Sequence, residues 1–179
     1  RGDFIARMDA DDIIPDDRIE KQLHYLLENK NVVVVGGQVE LMNEYKSPIV
    51  IKRFPTNHKS IVDMAFITMP IQQGAMMVNK TRLPIDFVWY RTELKTSEDL
   101  DFFFRIFKFG EGGNLSDIVL YYRQHGKSLT QVERPKEILL QAFKVKILAI
   151  FDYGIYPSLF TLLLSLVQFL LVLVMPTSL

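Results

Sequence analysis

The apolar stretch Phe4-Ile5-Ala6-Arg7-Met8 runs directly into Asp9-Ala10-Asp11-Asp12, so three carboxylates stand where a short strand would end and a loop begin. In open α/β sheets, ligands gather in the crevice beyond the carboxyl ends of the strands, and clustered acids there offer hard oxygen ligands to a cation. The pattern predicts an α/β fold with a ligand site at the end of this first strand. Asp16 and Asp17 have another explanation, because Asp17-Arg18-Ile19-Glu20 reads as a capping box that opens a helix over residues 19–27. A calcium loop of the EF-hand type fails on spacing, since Ile14 stands where the sixth-position glycine is required. Asp9 and Asp11 are left without a capping role, and a solvated acidic turn is the bland alternative for them.

The 179 residues carry 21 basic and 21 acidic side chains and no cysteine. One modest domain fits this length, without disulfides or a zinc–thiolate site. Zero net charge, with no basic run interleaved with aromatics, gives no argument for nucleic acid. An apolar strand begins almost at residue 1, and such a strand needs paired neighbours on both sides to be buried. The chain is therefore expected to lack the first part of its domain.

Val32-Val33-Val34-Val35 begins a β-branched run that continues through Gly36-Gly37 into the alternating Gln38-Val39-Glu40-Leu41-Met42. This predicts a buried strand followed by an alternating one, with a bulge at the glycines. The pair lacks the further spaced glycine of a dinucleotide loop. Residues 43–58, broken by Pro48 and Pro55, predict an exposed connection. A short helix is expected over 59–65, and Gln73-Gly74 leads into a strand over 73–78, the glycine allowing close backbone approach.

Ser97-Glu98-Asp99 is a second acidic site. Ser97 is a candidate N-cap, and Leu100, Phe103, Phe104 and Phe107 follow at helical spacing, with Asp101, Arg105 and Lys108 expected on the opposite, polar face. Acids in a first helical turn complement the dipole, and the same field keeps a carboxylate ionised and able to act as a base. Tyr121-Tyr122-Arg123-Gln124-His125 follows an apolar strand, where Arg123 and His125 are candidates for a ligand or phosphate. Residues 134–153 predict an amphipathic helix with Leu140, Phe143, Ile147, Ile150 and Phe151 on one face. Residues 155–175 contain no charged side chain, and their 21 positions match the roughly 20 needed to span a bilayer core. Lys136, Lys144 and Lys146 precede this segment, which places the preceding domain on the cytoplasmic side of a membrane. A re-entrant hairpin and a buried core helix are the alternatives.

Taken in order, these motifs resemble the C-terminal part of an inverting family 2 glycosyltransferase of the GT-A fold. Ile5-Ala6-Arg7-Met8-Asp9-Ala10-Asp11-Asp12 is similar to that family's metal-binding D-x-D segment, and residues 15–22 to the helix start that follows it. Ser97-Glu98-Asp99-Leu100-Asp101 resembles its acidic E-D motif, and Tyr122-Arg123-Gln124-His125-Gly126-Lys127-Ser128 its C-terminal Y-R-x-H segment. The resemblance covers residues 1 to about 130. One departure stands out: many members have a histidine and a proline where this chain has Gln73 and Gly74.

The resemblance implies a GT-A-like mixed sheet flanked by helices over residues 1–132, truncated at its N-terminus. An amphipathic juxtamembrane helix (133–154) and a membrane helix (155–175) would follow. It implies Mg²⁺ or Mn²⁺ held by Asp9, Asp11 and His125, with Asp99 as the base and Glu98 positioning it. Arg7, Asp9, Gln73, Gly74 and Arg123 would contact substrate. The expected partners are a nucleoside diphosphate sugar, a lipid-linked or polysaccharide acceptor, and a membrane, with no nucleic acid. A metal-dependent nucleotidyl or phosphoryl transferase and a non-catalytic membrane-tethered binding module are the rival readings.

Overall fold

The computed structural model describes residues 2–94, 96–124 and 135–174. Its sheet has five strands built around β2 (Val32–Met42), whose first half pairs antiparallel with β4 (Met77–Asn79) and whose second half pairs antiparallel with β3 (Pro48–Lys52). Along its other edge β2 runs parallel to β5 (Glu111–Arg123), and β1 (Phe4–Ala6) adds an antiparallel edge strand beyond β4. Helices α1 (Arg18–Glu28), α2 (His58–Ala65), α3 (Glu98–Ile106), α4 (Pro135–Phe151) and α5 (Leu159–Val174) complete the described elements. The mixed α/β sheet flanked by helices is the class expected.

β2 is buried along nearly its whole length, which explains why its first four residues are β-branched without polar alternation. The bulge expected at the glycines is present as a register shift against β5 between Gly36 and Gln38. A Cβ on Gly36 would lie 2.4 Å from Asn114 Oδ1 and 2.5 Å from Ile71 Cγ2, so only bare backbone fits between the sheet and its neighbours. Gln38 then staples the irregularity, donating to the carbonyls of Phe54 and Leu115 and accepting from the Phe54 amide.

Three expectations are revised along the sheet. The connection 43–58 is exposed but contains β3, turned back by Asn43, whose side chain accepts from the amides of Tyr45 and Ser47. Pro48 at the start of an edge strand concealed this strand in the sequence. β1 is an edge strand and half exposed, not flanked on both sides. Residues 73–75 form a 3₁₀ turn, and only Met77–Asn79 extend into β4.

The capping box expected for α1 does not form. Asp17 makes no side-chain cap and pairs instead with Lys21 at 2.9 Å, one turn on. Arg18 and Gln22 turn inward and are almost fully buried. Arg18 donates to the carbonyl of Arg7 at 2.8 Å, to that of Met76 at 3.4 Å and to Gln22 Oε1 at 3.0 Å. Gln22 in turn donates to the carbonyls of Ala75 (2.7 Å), Val35 and Gly36 (3.3 Å each). These carbonyls lie at the end of β1, beside the bulge of β2 and on the approach to β4, so the two side chains tie three segments of backbone together.

α3 also departs from simple amphipathicity. Its phenylalanines are core, as expected, but Asp101 and Arg105 are buried too, paired at 2.6 Å, with Tyr153 donating to Asp101 at 2.9 Å. They were assigned to a solvent face because their partners lie on distant segments. α4 buries Val145, Lys146 and Ala149 together with Phe143, and leaves Ile147 and Phe151 exposed, so its inward stripe is rotated from the one expected. α4 therefore docks on α3 through a stripe that includes a lysine.

Of the spanning helix expected over 155–175, the described residues form helix only over Leu159–Val174. Gly154, in the left-handed region at φ 69°, and Pro157 interrupt the run, so the helix begins at Leu159. Its 16 residues give a length of about 24 Å, short of the roughly 30 Å of a hydrocarbon core. Among the described residues no helix is long and apolar enough to cross a membrane. Met175 lies outside the described residues. The polarity of α5 is inverted relative to a soluble helix: Thr161 and Ser165 are buried, while Leu163, Leu166, Leu170 and Leu171 are each more than half exposed.

The buried contacts of α1 carry a direct test. Gln22→Leu keeps the volume and strands three carbonyls, so urea denaturation should show a loss of about 1–3 kcal/mol. A change smaller than about 0.5 kcal/mol would show that these bonds do not hold the loops in place.

Candidate active site

The acid loop is fixed from two sides. Arg7 continues the β1 pairing by donating its amide to Met76 O at 3.0 Å, and a bridge between Ile13 and Tyr121 pins the far end of the loop against β5. Arg123, the last residue of β5, closes the clamp. Its amide donates to Asp12 Oδ1 at 2.9 Å, and its guanidinium donates to the carbonyls of Asp11 at 2.8 Å and Glu44 at 2.9 Å. The sequence reading made Arg123 a substrate contact, whereas the structure gives its side chain to the loop backbone.

The three acids differ sharply. Asp11, expected as the direct metal ligand, is exposed. Asp9 is half-buried and held in a two-pronged ion pair by Arg7, at 3.1 and 3.2 Å. Asp12 is the buried one, at 6% exposure, and its Oδ2 has no hydrogen-bond partner. Burial pushes its carboxyl above the ordinary range; the Arg123 amide opposes this, and the charges of Asp11 and Asp9 add to it.

Gly74 faces this orphaned oxygen. A Cβ there would stand 3.2 Å from Asp9 Oδ2 and 3.4 Å from Asp12 Oδ2, so its bare Cα leaves a space onto which two carboxylate oxygens face. Gln73 beside it donates to the Tyr90 hydroxyl at 3.0 Å. Tyr90, not singled out in the sequence, joins the two acidic regions. Burial raises its hydroxyl, Arg7 and the Gln73 bond lower it, and Asp99 and Glu98 raise it further.

The second acidic site sits at the mouth of a cavity of about 610 Å³, with Glu98 and Asp99 in its wall. Ser97 occupies the cap position in the left-handed region (φ 61°) and offers no side-chain cap. A non-glycine residue held there stores strain of a kind found at functional turns. Asp99 Oδ1 accepts from the Leu100 amide at 2.8 Å. The segment that carries Tyr90 is held by Arg105, which donates to the carbonyls of Val88 and Trp89, the latter at 3.1 Å.

Of the expected metal ligands, His125 lies outside the described residues, as do Gly126, Lys127 and Ser128 of its motif. Among the described residues no group of three or more histidine, cysteine, aspartate or glutamate side chains is gathered so as to hold a metal ion. The pair Asp9 and Asp12, with its orphaned oxygen and the gap at Gly74, still fits Mg²⁺. That ion commonly takes one or two carboxylates and completes its shell with substrate phosphates and water.

Comparison with known proteins gives one answer at two levels. Residues 1–83 match the family described as Glycosyl transferase family 2. The chain is 32% identical over 131 residues to the O-antigen biosynthesis glycosyltransferase WbnJ of Escherichia coli, covering 70% of this chain and 49% of that protein. It is 30% identical over 120 residues to the amylovoran biosynthesis glycosyltransferase AmsE of Erwinia amylovora (66% and 44%). It is 25% identical over 139 residues to an uncharacterized glycosyltransferase of Haemophilus influenzae (73% and 43%). The chain thus spans less than half the length of these curated relatives. The crystal structure of S. aureus TarS shares the fold at a TM-score of 0.54 and 15% identity, over 83% of this chain and 25% of that one. Similarity to glycosyl transferase family 2 is thus carried by residues 1–83 in the family match and by about two thirds of the chain in relatives named as glycosyltransferases.

Proposed function

We propose that the protein transfers a sugar, with inversion, from a nucleoside diphosphate sugar to a hydroxyl of a growing saccharide. The observation that carries this reading is the unpartnered Asp12 Oδ2, which faces the gap left by Gly74 beside Asp9 Oδ2. The relatives named for amylovoran and O-antigen biosynthesis support a saccharide acceptor.

Asp99 takes the proton. One of its oxygens is held by the Leu100 amide, which leaves the other for an acceptor hydroxyl. As that proton passes to Asp99, the acceptor oxygen bonds to the anomeric carbon and the bond to the diphosphate breaks on the opposite face. Glu98 positions the acceptor beside it. On the donor side Arg7 places a positive charge beside Asp9, and Gln73 fixes the Tyr90 hydroxyl. Mg²⁺ or Mn²⁺, when bound, neutralises charge on the departing diphosphate. Asp9 and Asp12 would hold it, so the role first given to Asp11 passes to its buried neighbour.

Asp99→Asn should lower turnover by about 10²–10⁴ while donor binding survives, as expected for removal of a general base. Normal transfer rates in the full-length protein would remove Asp99 from the mechanism.

Asp12→Asn separates binding from folding. The folded state raises the Asp12 carboxyl, so it keeps a proton that the unfolded chain has already released. This contribution to stability is complete below the unfolded value of about 4 and is lost as pH rises through the folded one. Thermal unfolding from pH 4 to 7 should therefore show wild type losing ground to Asp12→Asn, while titration calorimetry shows metal-linked binding of nucleoside diphosphate abolished in the variant. If the variant is markedly less stable at pH 7 yet binds nucleotide normally, Asp12 is a structural residue only.

A further inference from the structure

The segment around Tyr90 walls a cavity of about 490 Å³, whose other side is formed by the end of α3, by Phe109 and by Tyr153. It shares no lining residue with the cavity that holds Glu98 and Asp99. Its size lies within the roughly 300–1,000 Å³ of small-molecule sites. Phe87, Tyr90, Phe109 and Tyr153 supply its apolar surface. The rings are held in place beforehand: Phe87 stands edge-on to Phe109 at 5.8 Å, and Tyr90 lies against Phe102 at 5.5 Å.

The charges around this cavity are unevenly satisfied. Asp101 is fully buried and both its oxygens are taken, Oδ2 by Arg105 Nε at 2.6 Å and Oδ1 by the Tyr153 hydroxyl at 2.9 Å. Arg105 is thereby neutralised. Arg91 Nε stops 3.8 Å from the same Oδ2, too far for a hydrogen bond. Among the described residues Lys108 has no ion pair at all, and both cations stand by the Tyr153 ring instead, Arg91 Cζ at 5.7 Å and Lys108 Nζ at 5.6 Å from its centre. Burial and the Asp101 bond push the Tyr153 hydroxyl to about 12, so it adds no negative charge. Glu93, exposed on the same wall, pairs with neither cation. Arg91, Arg105 and Lys108 against Asp101 and Glu93 leave one positive charge in excess.

We propose that this cavity is a saccharide subsite for a sugar that carries a carboxylate, with the carboxylate between Arg91 and Lys108 and the pyranose ring against Tyr90 and Tyr153. The aromatic walls suit the C–H faces of such a ring, and the planar fork of a guanidinium matches a carboxylate. A phosphate monoester, at about −1.5 to −2 near neutral pH, exceeds the single surplus charge and is opposed by Glu93. Tyr90 links the cavity to the site already described, because it lines the one and its hydroxyl takes Gln73 Nε2, beside the gap at Gly74, in the other. The inference rests on the glycosyltransferase reading and narrows its acceptor to an acidic saccharide.

Ligand-observed NMR titration of the full-length protein with methyl glucuronide, methyl galacturonide, the methyl ester of each and inorganic phosphate tests the subsite without turnover. At least one uronide should bind at least about fivefold more tightly than its uncharged ester, as expected of partly exposed charge pairs. Inorganic phosphate should bind more weakly than that uronide. Arg91→Gln and Lys108→Gln should each reduce the preference, and the double substitution should abolish it. Val88→Glu puts a competing carboxylate in the wall and should abolish it with both cations present. Arg105 holds only the main-chain carbonyl of Val88, and the Val88 and Lys108 side chains are exposed, so these variants should keep the wild-type fold. No preference for either uronide, an unchanged preference in the double variant, or phosphate binding as tightly as the uronide overturns the proposal. Nucleoside diphosphate binding with Mg²⁺ on the same samples keeps the two readings apart. Its persistence in wild type beside an absent uronide preference overturns the subsite alone. Its absence in wild type speaks against the enzyme reading, while a uronide preference lost in Val88→Glu would still establish the acidic-saccharide site.

Discussion

Everything at the site rests on two polar side chains of α1 that the protein buries. Arg18 and Gln22 reach under the sheet and bond the carbonyls of Arg7, Val35, Gly36, Ala75 and Met76, on three separate segments of the chain. A loop can leave a sheet edge and turn back only if its main-chain groups find partners, and buried unmet carbonyls would cost more than any loop contact returns. Burial lowers Arg18 to about 10, which leaves it charged across the physiological range. The helix thus acts as a plug whose polar end fits an irregular seam, and the acid loop and Gly74 sit directly on that seam.

A second buried network does the same for α3. Asp101, Arg105 and Tyr153 lock α3 to the chain that follows α4, and burial together with the Asp101 bond pushes the Tyr153 hydroxyl to about 12. Arg105 extends from this network to the segment carrying Tyr90. The segment around Tyr90 is thus held twice, by Gln73 at the Tyr90 hydroxyl and by Arg105 at the carbonyls of Val88 and Trp89.

The periodic parts of the fold were legible in the sequence. The valine run and the two glycines define a buried, bulged strand by composition alone, and the phenylalanines of α3 announce a core face. Buried polar residues were not legible, because nothing local distinguishes Arg18 or Asp101 from a solvated side chain; the groups that satisfy them lie dozens of residues away. The choice between Asp11 and Asp12 was hidden for the same reason: the backbone donor that draws Asp12 inward comes from Arg123, at the far end of β5. Hydropathy correctly found the apolar run near the C-terminus but could not see that Gly154 and Pro157 delay its helix.

The way Arg105 holds its neighbour has a wider consequence. It grips the segment around Tyr90 by main-chain carbonyls, which every amino acid possesses, and asks nothing of the side chains at positions 88 and 89. Anchorage and chemical character are thereby uncoupled along that stretch. Mutational drift can remodel the side chains that this stretch presents while its placement stays constant, so its surface can change without the scaffold being rebuilt.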